Sequence, residues 1–118
     1  MMVVNFADAG YPATLEFKSV TATFYAGGVG YPGGVATNGV DLRAWDDGTW
    51  NPVAANASAP GSPSLVQWNV TDPLVVSRLF FSAQQQLYFA VTPVAPNGTG
   101  IGEVSVDYAE VTVKYRLP

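Results

Sequence analysis

Residues 40–50 of the chain read VDLRAWDDGTW, and this stretch decides the fold class. Its first apolar residues alternate with polar ones, which is the period of a β-strand with one buried face. The DDG at its centre is a hairpin-turn sequence, because Asp and Gly tolerate the positive φ angles that a two-residue turn requires. The stretch therefore predicts antiparallel strands at 39–46 and 49–54 joined by a tight turn.

The same alternation returns along the rest of the chain. Further strands are predicted around Leu15–Phe17, Val20–Phe24, Val66–Val70, Leu87–Val91, Val104–Tyr108 and Val111–Tyr115. The parity of the apolar positions changes between Phe17 and Val20, where we expect a β-bulge or sharp bend, and it changes again between Tyr108 and Val111. The stretch 74–81 is apolar almost throughout, which favours a strand covered on both faces or a subunit contact.

These patterns predict an all-β, single-domain β-sandwich over residues 1–118, with eight or more antiparallel strands. Nine prolines and twelve glycines leave little room for helices longer than two turns. Connections of mixed length favour jelly-roll topology over a simple meander. Residues 1–11 are expected to form an N-terminal arm and the Gly-rich residues 26–34 a flexible loop, and either could reach a neighbouring subunit.

The composition excludes several classes of function. The chain has no His and no Cys, five Lys and Arg, nine Asp and Glu, and a net charge of -4. It therefore lacks disulfides, thiol nucleophiles and the commonest general base and metal ligand. Nucleic acids and anionic membranes both need a basic surface. We predict no enzymatic activity, no cofactor, no metal, and no nucleic-acid or membrane partner.

Location is predicted from two observations that pull in opposite directions. The N-terminus has neither basic residues nor a long apolar stretch, so it is no signal peptide, and the opening Met favours a complete, unexported product. Yet only 12% of the residues are charged, about half the usual share, as in extracellular modules. A virion protein made in the host cytoplasm and working on the capsid surface reconciles the two.

Sequence features with catalytic or ligand-binding alternatives have simpler explanations. The candidate calcium ligands or hydrolytic acids are Asp41, Asp46, Asp47, Asp72, Asp107, Glu16, Glu103 and Glu110. Turn chemistry and solvated strand faces explain them better, because no run has the spacing of a calcium loop. Residues 27–34 lack the Lys and the helix of a phosphate-binding loop. The glycosylation patterns at Asn56, Asn69 and Asn97 carry no weight without an export signal.

Four aromatic residues form the candidate interaction surface: Trp45, Trp50, Tyr31 and Tyr25. Trp45 is out of phase with the apolar face of its strand, and Trp50 follows the turn at a position that places it on the same side. Three interpretations remain open for this pair, namely an anchor at a protein interface, a second core, and a stacking platform for sugars. Trp68 is in phase with its apolar neighbours and is expected in the core.

Two segments resemble a known family. Residues 102–115, GEVSVDYAEVTVKY, resemble the closing strand of galactose-binding-like jelly rolls, and residues 41–50 resemble their central ribbon. The resemblance implies a jelly-roll fold. It carries over no calcium- or sugar-binding residue, because those occupy variable loops in the family. Such jelly rolls also serve as decoration or cement proteins on tailed-phage capsids, and this chain is similar to them in size and character.

The leading functional hypothesis is a non-enzymatic virion structural protein that binds the outer surface of a phage capsid and stabilises it. Its expected partners are the major capsid protein and copies of itself, as a dimer or trimer, because scarce charge suits extensive contact surfaces. The alternative is a carbohydrate-binding module, or a receptor-binding or fibre domain, with an aromatic face that stacks on sugars.

Overall fold

A computed structural model describes residues 1–5, 16–29, 39–57, 62–80, 86–94 and 103–116. The elements are β1 (Met2–Asn5), β2 (Glu16–Val29), β3 (Val40–Asp46), β4 (Thr49–Ala55), β5 (Ser64–Val70), α1 (Pro73–Leu79), β6 (Gln86–Pro93) and β7 (Glu103–Arg116). The strands form a four-stranded sheet in the order β1-β6-β3-β4 and a three-stranded sheet in the order β5-β2-β7. Every pairing is antiparallel, which confirms the predicted all-β architecture.

One hydrophobic core lies between the two sheets. It is built from the inward-facing residues of both sheets and two residues of α1: Val20, Ala22, Phe24, Ala26, Val40, Leu42, Ala44, Val66, Val70, Val76, Leu79, Leu87 and Phe89. Trp68 packs against this core from the three-stranded sheet, with its ring 6.4 Å from that of Phe89 on the other sheet. Trp68 is in phase with Val66 and Val70 as predicted, although its side chain is only half-buried.

The β3–β4 hairpin and the bulge between Phe17 and Val20 are confirmed, whereas the parity change in β7 lies before Tyr108 and not after it. Asp47 and Gly48 have φ angles of 53° and 77°, as the two central residues of a type I′ turn require. The pairing of β2 with β7 shifts register between Phe17 and Ser19 and again beside Tyr25. At the second shift Asp107 is an extra residue on β7, which moves the residues after it to the opposite faces.

The strand predicted over 74–81 is wrong, because Pro73–Leu79 is a helix, and the alternative of a subunit contact stays a prediction. Asp72 caps it by accepting a hydrogen bond from the Leu74 N–H at 2.9 Å, and Pro73 takes the first turn, where its missing N–H costs nothing. Val76 and Leu79 are buried one turn apart, whereas Leu74 is 72% exposed. The helix thus buries one face against the core and leaves the other in solvent.

The two segments expected outside the sandwich lie partly within it. Met2–Asn5 pairs with β6, so this part of the predicted arm is a strand, and residues 6–11 lie outside the described residues. Ala26–Val29 completes β2, so the predicted flexible loop does not begin at residue 26, and residues 30–34 also lie outside. Gly27 is buried, and a Cβ there would lie 2.9 Å from the Pro63 Cα, which explains this glycine by close packing.

The described residues contain seven strands, and the eighth strand and the jelly-roll topology stay predictions. Within the same residues no helix is long and apolar enough to cross a membrane.

Candidate interaction surface

A row of aromatic side chains crosses the outer face of the four-stranded sheet. We define the aromatic row as Tyr88, Trp45 and Trp50, which lie on the adjacent strands β6, β3 and β4. Trp45 pairs directly with Trp50, and Tyr88 lies one residue beyond the Phe89–Ala44 pair that joins β6 to β3. The alternation of β6 and β3 places Tyr88 and Trp45 outward, because their neighbours Phe89 and Ala44 point into the core, and Trp50 shares the face of its cross-strand partner Trp45.

The two tryptophans contact each other at an angle. Their ring centroids are 5.3 Å apart with the planes at 73°, a T-shaped arrangement in which the edge of one ring meets the face of the other. Both side chains are half-buried. The prediction that they share one face is therefore confirmed, and neither is a member of the buried core cluster.

A depression of about 400 Å³ opens to solvent beside the row and is lined by Met1, Trp45, Trp50 and Tyr88. Val3 pairs with Tyr88 from the edge strand β1 and is 44% exposed, so it extends the apolar surface by one strand. Four adjacent strands thus present one nearly continuous apolar surface. With strands about 4.8 Å apart, it is roughly 14 Å wide.

One arginine lies beside the tryptophan pair. Arg43 precedes Trp45 by two residues on the same face of β3, and its Nε donates to Thr92 Oγ1 at 3.2 Å. Its Nη2 lies 3.6 Å from Asp41 Oδ2. These partners restrain the guanidinium on the face of the sheet that carries Trp45.

The end of the hairpin is tied to the helix by a bidentate ion pair. Arg78 of α1 donates from Nε and Nη2 to the two carboxylate oxygens of Asp46, at 3.0 Å each. The hydrogen bond to Asp46 and the negative charge of that carboxylate raise the pKa of Arg78. Because Asp46 follows Trp45 directly, this contact also fixes the end of the strand that presents the aromatic row.

Tyr25 lies on the other sheet. It pairs with Leu65 of β5 and Tyr108 of β7, and the three residues form a second exposed row on the outer face of the three-stranded sheet. They are 42%, 57% and 51% exposed in that order. The structure therefore brings Trp45 and Trp50 together but not Tyr25 with them, and Tyr31 lies outside the described residues.

The candidate calcium ligands do not form one metal site. Asp41 lies beside Arg43, and Asp107 lies in the β7 bulge. Asp46, Asp47 in the hairpin turn and Asp72 at the start of α1 all lie near Arg78, and Asp46 forms an ion pair with it. In the described part of the chain, no three acidic side chains come together as a metal site. Glu16 and Glu110 lie exposed on β2 and β7, as expected for solvated strand faces.

Asn56 has a structural role that its glycosylation pattern did not predict. Its Oδ1 accepts from the Val40 N–H at 2.9 Å, and its Nδ2 donates to the carbonyl oxygens of Ala26 at 2.9 Å and Ser64 at 3.0 Å. Val40 belongs to the four-stranded sheet, and the other two belong to the three-stranded sheet. The side chain thus joins the two sheets at the end of β4.

Sequence reasoning missed Tyr88, Met1 and Val3 as members of this surface. A signal for Tyr88 was present, because it alternates with the buried Leu87 and Phe89 and must point outward. Its place beside Trp45 follows from the β6–β3 pairing, which joins residues almost fifty positions apart.

In comparisons with known proteins, no family model, no curated protein and no solved structure matches this chain.

Proposed function

We propose that this protein is a non-enzymatic structural subunit that binds a protein surface through its aromatic row. Taken together with the sequence resemblance, this surface supports a more specific proposal: a jelly-roll decoration or cement protein that binds the outer surface of a phage capsid. The observation that carries the proposal is the T-shaped Trp45–Trp50 pair, which lines an apolar depression that opens to solvent.

The chemistry of this surface fits a protein partner. Binding energy at protein interfaces concentrates in Trp, Tyr and Arg, surrounded by contacts that exclude water. Trp45, Trp50 and Tyr88 supply the aromatic anchors, and Arg43 lies beside them with its guanidinium already held by Asp41 and Thr92. A side chain ordered before binding loses less conformational entropy on association, which favours affinity.

The sheet that carries the row suits attachment to a rigid shell. Its hairpin is fixed by a type I′ turn and by the Asp46–Arg78 ion pair, so the anchors have little freedom to reorganise. On a symmetric capsid, an oligomer that contacts several equivalent sites at once binds more tightly than one subunit alone. The partner is then the major capsid protein, and the location is the virion.

Co-sedimentation with capsids tests this proposal. The capsids are assembled from a major capsid protein encoded beside this chain, and Trp45→Ala and Trp50→Ala are each expected to weaken binding at least about tenfold. Leu65→Ala, which removes an exposed apolar side chain from the opposite sheet, is the matched control and should bind like the original protein. Equal binding by the tryptophan variants, or the absence of a neighbouring capsid gene, would contradict the proposal.

A second candidate is a carbohydrate-binding module, favoured by the depression between Met1, Trp45, Trp50 and Tyr88. Aromatic faces stack on the apolar faces of sugar rings. The T-shaped pair offers no single flat platform, so a sugar would lie within the depression and contact one tryptophan face. Affinity electrophoresis through polysaccharide gels separates the two candidates: retention that Trp45→Ala and Trp50→Ala abolish favours sugar binding.

A further inference from the structure

Strand β7 is a long edge strand. It spans fourteen residues and pairs with β2 along one side, and no described strand pairs with its other side. Residues 105–110 are exposed on both faces. An edge strand of this length presents a row of backbone N–H and C=O groups that can pair with another strand.

The sequence of β7 complements itself around Thr112. Residues 108–116 read YAEVTVKYR, and an antiparallel copy centred on Thr112 places each residue opposite a fitting partner. Glu110 comes opposite Lys114, Tyr108 opposite Arg116, and Val111 opposite Val113. A two-fold axis perpendicular to the sheet keeps the outer faces of the two copies on the same side. The two residues of each pair therefore point to the same face of the joined sheet, as directly opposed cross-strand residues do.

We propose that two copies of this chain associate through β7, edge to edge and antiparallel, with the two-fold axis at Thr112. The three-stranded sheets then join into one six-stranded sheet in the order β5-β2-β7-β7-β2-β5. Each dimer contains two Glu110–Lys114 pairs and two Tyr108–Arg116 pairs on the outer face. The interface is isologous, so it closes at two copies.

The charges on β7 suit this register. The hydroxyl groups of Tyr108 and Thr112 both donate to the Glu110 carboxylate, which holds this charge along the strand. Neither Glu110 nor Lys114 forms an ion pair within the described part of the chain, so each is free to meet its counterpart on a second copy. Opposite charges directly across two strands stabilise the pairing.

Three neighbouring registers are less favourable. Centring the axis on Glu110 places two carboxylates opposite each other, and centring it on Val111 brings no opposite charges together. Centring it on Val113 places Glu110 opposite Arg116, but Arg116 is already paired with Glu16 at 2.6 Å. Asp107 is the extra residue of the bulge, and bulges end regular pairing. The stretch 108–116 lies entirely beyond this bulge, so it offers nine residues of regular strand.

This inference does not depend on the proposed capsid role. The edge of β7 belongs to the three-stranded sheet, whereas the aromatic row lies on the four-stranded sheet. Trp45→Ala is therefore expected to remain a dimer while losing capsid binding. A failed test of capsid binding would therefore leave the dimer proposal intact, and a failed test of the dimer would leave the capsid proposal intact.

Light scattering coupled to size-exclusion chromatography, with sedimentation to obtain the dissociation constant, tests the dimer. The original protein is expected to be a dimer at high micromolar concentration. Glu110→Lys and Lys114→Glu each place like charges opposite one another twice, and each should raise the dissociation constant at least about tenfold. The double variant Glu110→Lys/Lys114→Glu restores opposite charges and should recover most of the lost affinity.

Net charge alone cannot produce this result, because the two single variants change it in opposite directions. Ser105→Glu is the matched control, since it adds a charge to β7 before the bulge and should leave the dimer unchanged. A monomeric or trimeric original protein would overturn the proposal. So would single variants that dimerise normally, or a double variant as weak as the singles.

Discussion

Trp45 and Trp50 are direct cross-strand partners in the β3–β4 hairpin, with ring centroids 5.3 Å apart and planes at 73°. Only four residues separate them, and the two central ones adopt the positive φ angles of a type I′ turn. The turn therefore sets the register that brings the rings together, and the rings in turn stabilise the hairpin. The contact between the two rings therefore both stabilises the hairpin and sets the shape of the candidate interaction surface.

Energetic coupling between the two tryptophans is the first prediction. Trp45→Ala and Trp50→Ala should each lower the free energy of unfolding by about 1–2 kcal/mol, since both side chains are only half-buried. In the double variant the loss should be smaller than the sum by about 0.5–1.5 kcal/mol, the value of an aromatic pair. Urea denaturation of the four proteins measures this. Strict additivity would show that the rings do not interact.

Two glycines with positive φ angles should respond very differently to alanine. Gly48 has a φ of +77° with open space around it, so Gly48→Ala meets only backbone strain and should cost about 1–2 kcal/mol. Gly39 has a φ of +94°, and a Cβ there would lie 2.2 Å from the Asn56 carbonyl oxygen. Gly39→Ala should therefore cost more than about 3 kcal/mol. Thermal unfolding of both variants checks the order, and similar midpoints would contradict it.

The β architecture was predictable wherever a strand has one buried face. The hairpin and the bulge after Phe17 followed from alternation and turn chemistry, because these signals are local. The helix over Pro73–Leu79 was missed because its four apolar residues hide the spacing of Val76 and Leu79. The stronger signal was Asp72-Pro73, an N-cap residue followed by a proline, which marks the start of a helix.

The candidate surface was predictable only within one hairpin. Trp45 and Trp50 share a face because five positions separate them across a known turn. Tyr88 joins them through the β6–β3 pairing, and Tyr25 is separated from them because β2 belongs to the other sheet. Both outcomes depend on strand order, which alternation along a single strand does not encode.

Acid should remove one specific stabilising contribution on the three-stranded sheet. The hydrogen bond from Lys18, at 2.5 Å, lowers the pKa of Glu16, and the charge of Arg116, whose Nη2 lies 2.6 Å from the carboxylate, lowers it further. A carboxyl group whose pKa is lowered in the folded state stabilises that state above its ordinary pKa. The contribution is lost as the pH falls through the lowered pKa.

Glu16→Gln should therefore lower the melting temperature at neutral pH and have no effect in strong acid. The difference at neutral pH should also shrink in high salt, because these groups are exposed and screened. Melting curves across pH and salt for both proteins provide the measurement. A difference that persists at low pH would assign the effect to packing instead of charge.

Asn56 should be among the most sensitive polar positions, because its three side-chain hydrogen bonds join the two sheets. Asn56→Ala leaves the Val40 N–H and the carbonyl oxygens of Ala26 and Ser64 without these partners, in a partly buried site. Each orphaned group costs about 1–3 kcal/mol, and water that reaches the site offsets part of the sum. We expect a loss of about 2–4 kcal/mol in the free energy of unfolding.

Asn56→Asp separates the acceptor role from the donor role. The carboxylate still accepts from the Val40 N–H, but it faces the carbonyl oxygens of Ala26 and Ser64 with no N–H to donate. Their repulsion disfavours the charged form, which raises the carboxyl pKa in the folded state. Stability of this variant should therefore be lost as the pH rises through that raised pKa and recover in mild acid, where the protonated carboxyl donates one hydrogen bond. Urea denaturation at neutral pH and in mild acid measures the change. A variant that is equally stable under the two conditions would show that Asn56 acts only through its acceptor oxygen.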